Sequence, residues 1–326
     1  MATYKEIFGT NIEVLASDPA NPVQGQVWYN STSNVVKGFA LTTAGAWATG
    51  GSLNTARRQL AGAGANNTSA LAFGGLSTTF TGVTESYDGT SWTEVNDLNT
   101  ARDQTAGDGT QTSALAFNGE TPPNIRTAKT ESWNGTCFSE VNDLNQARAG
   151  TGGVAADNTS ALAFGGTFPG AVLLSVTESW NGTCWTELND LNTAREQLGG
   201  AGVATSALGF GGQAPPQTAV TESWNGTCWT EVNDLNVAKR LLGDAGTQTS
   251  ALGFGGFTGT AIANTEEWNG TSWTEVADLS TARWGLAGAG TQTSALAFGG
   301  FTTAVTAATE EWTGAGAPLT VTFTDS

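Results

Sequence analysis

The feature that most constrains this chain is a unit of about 45 residues that recurs along nearly its whole length. Each unit opens with the string Leu-Asn-Thr-Ala-Arg or a close variant, which ends in a basic residue. These basic residues are Arg57, Arg102, Arg148, Arg195, Lys239 and Arg283. Repeats of this length are typical of solenoids and propellers, in which every unit is one supersecondary structure.

Each unit contains four short segments with the composition of β-strands. The first is rich in Gly and Ala, as in residues 60–64, and the second is apolar, as in residues 68–75. The third ends in Thr-Glu-Ser-Trp, as at 177–180, and the fourth reads Trp-Thr-Glu-Val, as at 229–232. Four short strands in every unit predict an all-β propeller. We expect the Gly/Ala strand to lie innermost, because blades converge at the axis, and the tryptophans to lie on the outer strands.

A short turn separates the third strand from the fourth. Its residues are Asp88-Gly89, Asn134-Gly135, Asn181-Gly182, Asn225-Gly226 and Asn269-Gly270. Asn-Gly and Asp-Gly are favoured in type I′ hairpins, where both residues have positive φ, so the sequence predicts such hairpins here.

Three sets of residues recur at fixed places in the units. Paired glycines close the second strand at Gly74-Gly75, Gly165-Gly166, Gly211-Gly212, Gly255-Gly256 and Gly299-Gly300, with Asn118-Gly119 as a variant. The third-strand aromatics are Tyr87, Trp133, Trp180, Trp224, Trp268 and Trp312. The fourth-strand aromatics are Trp92, Phe138, Trp185, Trp229 and Trp273. This pattern resembles the kelch repeat family over residues 45–326. The resemblance implies a six-bladed kelch-like β-propeller.

The six units supply six third strands but only five fourth strands with the recurring aromatic. One fourth strand is therefore missing, and the sequence leaves undecided how the ring of blades closes. Residues 46–48, around Trp47, supply that strand in one arrangement, and the C-terminal segment with Leu319, Val321 and Phe323 supplies it in another. A third arrangement has seven blades, the seventh assembled from strands at both ends of the chain.

Residues 1–44 do not follow the repeat and form a separate N-terminal segment, with the propeller assigned to residues 45–326. Residues 26–29 and 35–39 predict a β-hairpin, with Ser, Thr and Asn in the turn between them. The phrase Gly-Gln-Val-Trp-Tyr-Asn-Ser-Thr-Ser-Asn resembles N-terminal segments of tail-fibre and other virion proteins of tailed bacteriophages. That resemblance implies an attachment segment, and the alternative is an ordinary hairpin that packs on the propeller.

The charge and residue types argue against several functions. The formal net charge of −17 disfavours binding to a nucleic-acid backbone. The chain has no histidine, which removes the commonest general base and transition-metal ligand, including those of a copper oxidase with the kelch fold. We therefore expect no enzyme activity, no cofactor and no metal, although a propeller hydrolase with an unfamiliar site remains an alternative. Cys137, Cys184 and Cys228 occur one per unit, so we expect free thiols.

Two series of carboxylates recur with the repeat. The glutamates of the third strand are Glu85, Glu131, Glu178, Glu222, Glu266 and Glu310. We expect them to form buried ion pairs with the recurring Arg or Lys, because a buried charge needs a partner. The alternative is a ligand-binding ring at the channel. The aspartates are Asp97, Asp143, Asp190, Asp234 and Asp278, and we expect Asx turns here rather than a calcium loop.

The loops between the second and third strands differ among the units while the framework repeats almost verbatim. They carry apolar side chains that a solvated loop does not need, namely Phe80, Phe168, Leu173, Phe257, Ile262 and Phe301. Apolar residues on one face favour contact with a partner. The alternative is that repeats diverge first where packing constrains them least.

These observations predict a non-enzymatic structural or adhesion component of a bacteriophage particle. Expected partners are other virion proteins, copies of the same chain, or a receptor or glycan on the host surface, with no membrane insertion. No secretory signal is recognised, so we expect assembly in the host cytoplasm and residence in the virion. The alternatives are a cellular kelch-type scaffold and a lectin-like carbohydrate-binding propeller.

Overall fold

The computed structural model describes residues 12–41, 44–315 and 318–323. The chain divides into two compact units. The first comprises residues 1–45 and 313–326, and the second comprises residues 46–312. Within the described residues no helix is long and apolar enough to cross a membrane.

The strands are numbered in chain order. The N-terminal strands are β1 (Glu13–Leu15), β2 (Val27–Asn30), β3 (Val35–Leu41) and β4 (Ala46–Thr49). The first repeat has β5 (Ala61–Asn66), β6 (Ser69–Phe73), β7 (Thr84–Tyr87) and β8 (Trp92–Glu94). The second has β9 (Ala106–Thr110), β10 (Ser113–Phe117), β11 (Glu120–Thr121), β12 (Ile125–Arg126), β13 (Thr130–Trp133) and β14 (Phe138–Val141). The third has β15 (Gly152–Asp157), β16 (Ser160–Phe164), β17 (Thr167–Phe168), β18 (Val172–Leu173), β19 (Thr177–Trp180) and β20 (Trp185–Glu187).

The remaining repeats follow the same order. The fourth has β21 (Gly199–Val203), β22 (Ser206–Phe210), β23 (Thr221–Trp224) and β24 (Trp229–Val232). The fifth has β25 (Gly243–Thr247), β26 (Ser250–Phe254), β27 (Thr265–Trp268) and β28 (Trp273–Val276). The sixth has β29 (Ala287–Thr291), β30 (Ser294–Phe298) and β31 (Thr309–Thr313), and the last strand is β32 (Pro318–Phe323).

The described residues of the first unit form a four-stranded sheet with the order β1-β2-β3-β32. Strands β2 and β3 form the antiparallel hairpin that the sequence predicts, whereas β1 pairs with β2 in parallel. Strand β32 pairs along β3, from Val36 opposite Phe323 to Leu41 opposite Pro318. The C-terminal strand therefore belongs with the N-terminal sheet, although the sequence-based boundary assigned residues up to 326 to the repeats.

The second unit contains four-stranded antiparallel sheets, one for each repeat. Five of them take all four strands from one repeat, and the sixth has the order β29-β30-β31-β4. The missing fourth strand is therefore the one that contains Trp47, and β32 does not occupy that place. The all-β prediction is confirmed, and the succession of four-stranded sheets is consistent with a β-propeller.

The Gly/Ala-rich first strands pack against one another in chain order, from β5 through β9, β15, β21 and β25 to β29, and β29 packs against β5. This close approach requires glycine at the contact. A Cβ on Gly62 would lie 2.4 Å from the carbonyl oxygen of Gly288 in the neighbouring strand. The expectation that small residues bring these strands together is confirmed for this unit.

The core of the second unit lies between adjacent sheets. In each interface, a Phe from the second strand of one sheet meets the fourth-strand aromatic of the following sheet. For example, the rings of Phe164 and Trp229 are 4.9 Å apart, and those of Phe210 and Trp273 are 4.8 Å apart. Trp47 has the same role, with its ring 5.0 Å from that of Phe254. Such aromatic pairs add to the stabilisation that area burial already provides.

The prediction of type I′ hairpins is wrong. Trp133 pairs with Phe138, so the connecting loop has four residues rather than two. Only the glycine has positive φ, which is 89° at Gly135. The Asn134 side chain explains the difference, because its Oδ1 accepts hydrogen bonds from the backbone N–H groups of Thr136 and Cys137. Asparagine here stabilises an Asx-type loop and needs no left-handed conformation.

Candidate functional site

The structure brings the recurring basic residues and glutamates together within each sheet. The Nη1 atom of Arg57 lies 2.5 Å from Oε1 of Glu85, and the corresponding distance is 2.6 Å between Arg148 and Glu178. The six pairs are Arg57–Glu85, Arg102–Glu131, Arg148–Glu178, Arg195–Glu222, Lys239–Glu266 and Arg283–Glu310. All twelve residues are buried.

Further hydrogen bonds hold each glutamate in place. The backbone N–H and the side-chain amide of Asn54 donate to Oε2 of Glu85, at 2.6 and 2.9 Å. The guanidinium of Arg57 also donates to the carbonyl of Ala72 in the second strand, at 3.2 Å. Burial lowers the pKa of Arg57, and the charge of Glu85 opposes that shift. These carboxylates are occupied by the framework, which disfavours the alternative of a ligand-binding ring.

The recurring aspartates make a contact different from the expected Asx turn. Oδ1 of Asp97 accepts a hydrogen bond from the backbone N–H of Thr84, at 3.0 Å, and Asp234 accepts one from Thr221 at the same distance. Each aspartate therefore caps the start of the third strand from the end of the fourth. The same contact occurs at Asp143, Asp190 and Asp278.

Neither a metal cluster nor a disulfide occurs among the described residues. No group of three or more Cys, Asp or Glu side chains in residues 12–41, 44–315 and 318–323 has the arrangement of a metal site. Cys137, Cys184 and Cys228 are free thiols.

A cavity of about 140 Å³ lies between the innermost strands of the second unit. Two carboxyl groups line it, those of Asp108 and Asp244. Oδ2 of Asp108 accepts from the N–H of Ala155, and Oδ2 of Asp244 accepts from that of Gly200. Burial raises the pKa of each to about 7, and the charge of Asp108 adds to the shift of Asp244. Both side chains keep some accessible surface toward the cavity although protein atoms surround them.

A closed cycle of backbone hydrogen bonds surrounds one end of this cavity. One residue from each repeat has a left-handed backbone and donates its N–H to the carbonyl of the equivalent residue in the preceding repeat. The residues are Gln59, Gln104, Gly150, Gln197, Leu241 and Gly285. The cycle closes where Gln59 donates to Gly285 at 2.6 Å. This arrangement fixes the backbone around the cavity mouth while leaving its side chains free to differ.

In each repeat, one further residue immediately precedes the member of this cycle, and the sequence analysis did not single these residues out. They are Arg58, Asp103, Ala149, Glu196, Arg240 and Trp284, and each forms a β-bridge to the start of its own second-to-third loop. Their chemistry differs in almost every repeat, although each directly follows a recurring basic residue. That divergence inside an otherwise constant string is a signal that the sequence contains. We call these six residues the mouth ring.

Part of the mouth ring forms a cluster with aromatic loop residues. The ring of Trp284 is 5.1 Å from that of Phe301 and 6.0 Å from that of Phe257. The guanidinium carbon of Arg58 lies 4.8 Å from the Trp284 ring centroid and 5.0 Å from that of Phe301. The guanidinium carbon of Arg240 lies 5.2 Å from the Phe257 centroid. We call these five residues the cation–aromatic cluster.

The apolar loop residues named by the sequence are half-buried rather than exposed. They are Phe80, Phe168, Leu173, Phe257, Ile262 and Phe301. Phe257 and Phe301 meet through Trp284, Phe168 pairs with Val172 in the β17–β18 hairpin, and Phe80 bridges to Leu76. Internal packing thus accounts for part of their apolar character. The most exposed large hydrophobic side chains in these loops are Ile125 and Val172, at 57% and 56% exposure.

No protein-family model matches the chain, and no curated protein matches it.

Proposed function

We propose that residues 46–312 form a six-bladed kelch-like β-propeller. Two observations support six blades. The inner strands succeed one another from β5 to β29 and return to β5, and the backbone cycle has one member per repeat. The sheet that contains β32 fits a seventh blade less well, because β1 and β2 pair in parallel and the sheet belongs to the other compact unit.

We further propose that this propeller is a non-enzymatic binding module. The observation that carries this proposal is the contrast between a repeated, buried framework and a mouth ring whose residues differ from repeat to repeat. The recurring carboxylates are paired inside the sheets and so are unavailable for acid–base chemistry. A rigid scaffold that presents variable residues on one face is the arrangement expected of a recognition surface.

The particle in which this module acts is, in our proposal, a tailed bacteriophage, with the protein as a structural or adhesion component. The support is the likeness of residues 25–34 to N-terminal segments of virion proteins, together with the separate sheet formed by both chain ends. The N-terminal unit would attach the protein to the particle or to another copy. The face that carries the loops between the second and third strands, which we call the loop face, would contact a further virion protein or the host surface.

Mass spectrometry of purified virions from infected cells tests this location. We expect the protein in the particles at a fixed stoichiometry, and a variant lacking residues 1–40 to be excluded from them while its propeller stays folded. Recovery of the protein only in the cell fraction would favour the alternative of a cellular kelch-type scaffold.

Loop-face binding needs its own test. Replacement of Phe168, Phe257 and Phe301 by Ser should weaken partner contact. Val203→Ser is the matched control, because Val203 is exposed at the end of β21, next to the turn that lies at the other end of the sheet. Equal partner binding by both variants would show that another surface mediates contact.

A further inference from the structure

The cation–aromatic cluster contains the two cations of the second unit that lack an ion pair. All lysines and arginines in residues 46–312, a stretch that the structure describes completely, lie within 4 Å of a carboxylate except Arg58 and Arg240. In a chain of net charge −17, acidic partners are abundant. Two unpaired guanidinium groups beside one aromatic cluster therefore require an explanation.

The remaining contacts of these arginines do not neutralise them. The guanidinium of Arg240 donates to the neutral side-chain oxygens of Gln197, at 2.7 Å, and Gln213. The side chain of Arg58 donates no hydrogen bond to any residue that the structure describes, and its Nε is buried without a partner. Asp103 and Glu196 are near enough for the arginine charges to lower their pKa values, against a larger upward shift from burial, but neither forms an ion pair with them.

The aromatic rings give the site its second property. Arg58 lies over Trp284 and Phe301, with its guanidinium carbon 4.8 and 5.0 Å from the two ring centroids, and an arginine in such a contact presents a planar set of donors. A planar guanidinium held in this way matches the geometry of a carboxylate. Aromatic rings beside polar groups also suit an amphipathic ring such as a sugar.

The amount of exposed apolar surface in the cluster indicates whether its ligand is a protein or a small polar molecule. A stable protein interface has exposed apolar anchors at its centre. Here Phe257, Trp284 and Phe301 are half-buried and packed on one another. These rings and the two guanidinium groups each keep partial solvent exposure, so a small polar ligand can contact aromatic surface and cationic donors together.

We propose that the cation–aromatic cluster binds an acidic oligosaccharide, with sugar carboxylates at Arg58 and Arg240 and a sugar ring against the aromatic residues between them. The two arginines lie at opposite ends of the cluster, separated by Phe257 and Trp284, so that they engage different acidic groups. This inference rests on the proposed binding function and specifies its ligand.

Isothermal titration calorimetry with defined saccharides tests the inference. The probes are 3′-sialyllactose against lactose and a galacturonic acid trimer against galactotriose, with hexaglutamate as an acidic peptide. We expect each acidic saccharide to bind at least tenfold more tightly than its neutral counterpart. For the galacturonic acid trimer, which has several carboxylates, Arg58→Ala and Arg240→Ala should each weaken that preference and the double variant should remove it. Arg58→Lys should weaken it less than Arg58→Ala, since lysine keeps the charge but not the planar fork.

Lys129→Ala is the matched control, because it removes one positive charge from a partly exposed ion pair outside the cluster. It should keep the preference, and thermal unfolding should show all variants to be folded. Equal binding of acidic and neutral saccharides, no binding of any saccharide, or equal loss in Lys129→Ala would overturn the inference. Tighter binding of hexaglutamate would identify an acidic peptide as the ligand instead. The outcome of the virion experiment is independent of this one. A protein absent from particles can still bind these saccharides, and a protein present in particles can fail to bind them.

Discussion

The backbone N–H of Gln59 donates a hydrogen bond to the carbonyl of Gly285, at 2.6 Å, and thereby joins the first repeat to the sixth. Both residues have left-handed backbones, with φ of 54° and 63°. The same junction is closed farther out by β4, which precedes the first repeat and completes the sheet of the sixth. The two ends of the repeat array are therefore held together at the cavity and at the outer strand.

Trp47→Ala tests the contribution of the outer closure. The indole of Trp47 donates to Oγ1 of Thr265 at 3.1 Å, and its ring lies 5.0 Å from Phe254 and 5.2 Å from Trp312. We expect a loss of about 3 kcal/mol in the free energy of unfolding, measured by chemical denaturation. A chain lacking residues 1–40 keeps β4 and is the control, with little change expected in the repeat unit. An unchanged midpoint for Trp47→Ala would mean that β4 contributes little to closure.

Arg102→Ala tests the buried ion pairs. Nη1 of Arg102 lies 3.2 Å from Oε1 of Glu131, and neither side chain has appreciable solvent exposure. Removal of the arginine leaves a buried carboxylate without its counter-ion, so we expect destabilisation of about 3–5 kcal/mol by chemical denaturation. Arg102→Lys should cost less, because Lys239 serves the same purpose in the fifth repeat. Lys129→Ala, in a partly exposed pair, should cost at most about 1 kcal/mol.

The contacts inside one repeat were accessible from the sequence. The third strand at 177–180 and the fourth at 229–232 have the expected bounds, and Arg102 meets Glu131 as the repeat pattern implies. These features depend on the alternation of apolar and polar residues, on turn composition and on charge pairing within a single unit. The sequence shows this pattern again in successive repeats, which makes it easy to recognise.

The contacts between repeats were not accessible in the same way. Gln59 is an unremarkable residue in the sequence, and its left-handed backbone becomes necessary only when neighbouring repeats form the hydrogen-bonded cycle. The loop phenylalanines were interpreted as a partner surface, and their packing inside the unit, where Phe257 and Phe301 meet Trp284 of the mouth ring, was not foreseen. Nothing within one repeat specifies which residue of the next repeat it will meet.

Asn118 shows how a variation in one repeat is matched in the next. It stands where other repeats have a glycine with positive φ, and its own φ is 53°. Its side-chain amide donates to Oγ1 of Thr151, and its Oδ1 accepts from the N–H of Ala106. At the equivalent interface, Gly165 faces Leu198 instead. Between the first two repeats Gly74 faces Thr105, so a threonine also occurs here without the asparagine, and the hydrogen bond is what joins Asn118 to Thr151.

Thr151→Leu is expected to destabilise the protein by about 1–3 kcal/mol, because it leaves the buried amide of Asn118 without its acceptor. The double variant Asn118→Gly, Thr151→Leu recreates the arrangement at Gly165 and Leu198 and should recover most of that loss. Chemical denaturation of the parent, both single variants and the double variant gives the coupling energy. Additive effects of the two substitutions would show that the pair is not coupled.

The cavity aspartates predict an unusual dependence of stability on pH. Asp108 and Asp244 have a pKa of about 7 in the folded protein, raised by burial from the usual 3.8. Between these values the unfolded chain ionises while the folded protein keeps its protons. Folding stability therefore falls as the pH rises from about 4 to about 7, and changes little above that range. The loss of folding stability is at most about 4 kcal/mol for each carboxyl. The actual loss is smaller, because the side chains keep some accessible surface toward the cavity.

Asp108→Asn and Asp244→Asn each remove one of the two contributions to this dependence, because an amide stays neutral and still accepts the hydrogen bond from Ala155 or Gly200. We expect each variant to match the parent near pH 4 and to be more stable at pH 8, by denaturant titration across that range. Asp108→Asn should also lower the pKa of Asp244, because the Asp108 charge contributes to raising it, so the double variant gains less than the sum of the two. Asp88→Asn is the control, since four other repeats have Asn at that turn and the exposed Asp88 carboxyl has a lowered pKa. Its difference from the parent should stay constant from pH 5 to 8. A constant difference for the two cavity variants as well would mean that both aspartates are ionised in the folded protein throughout this range.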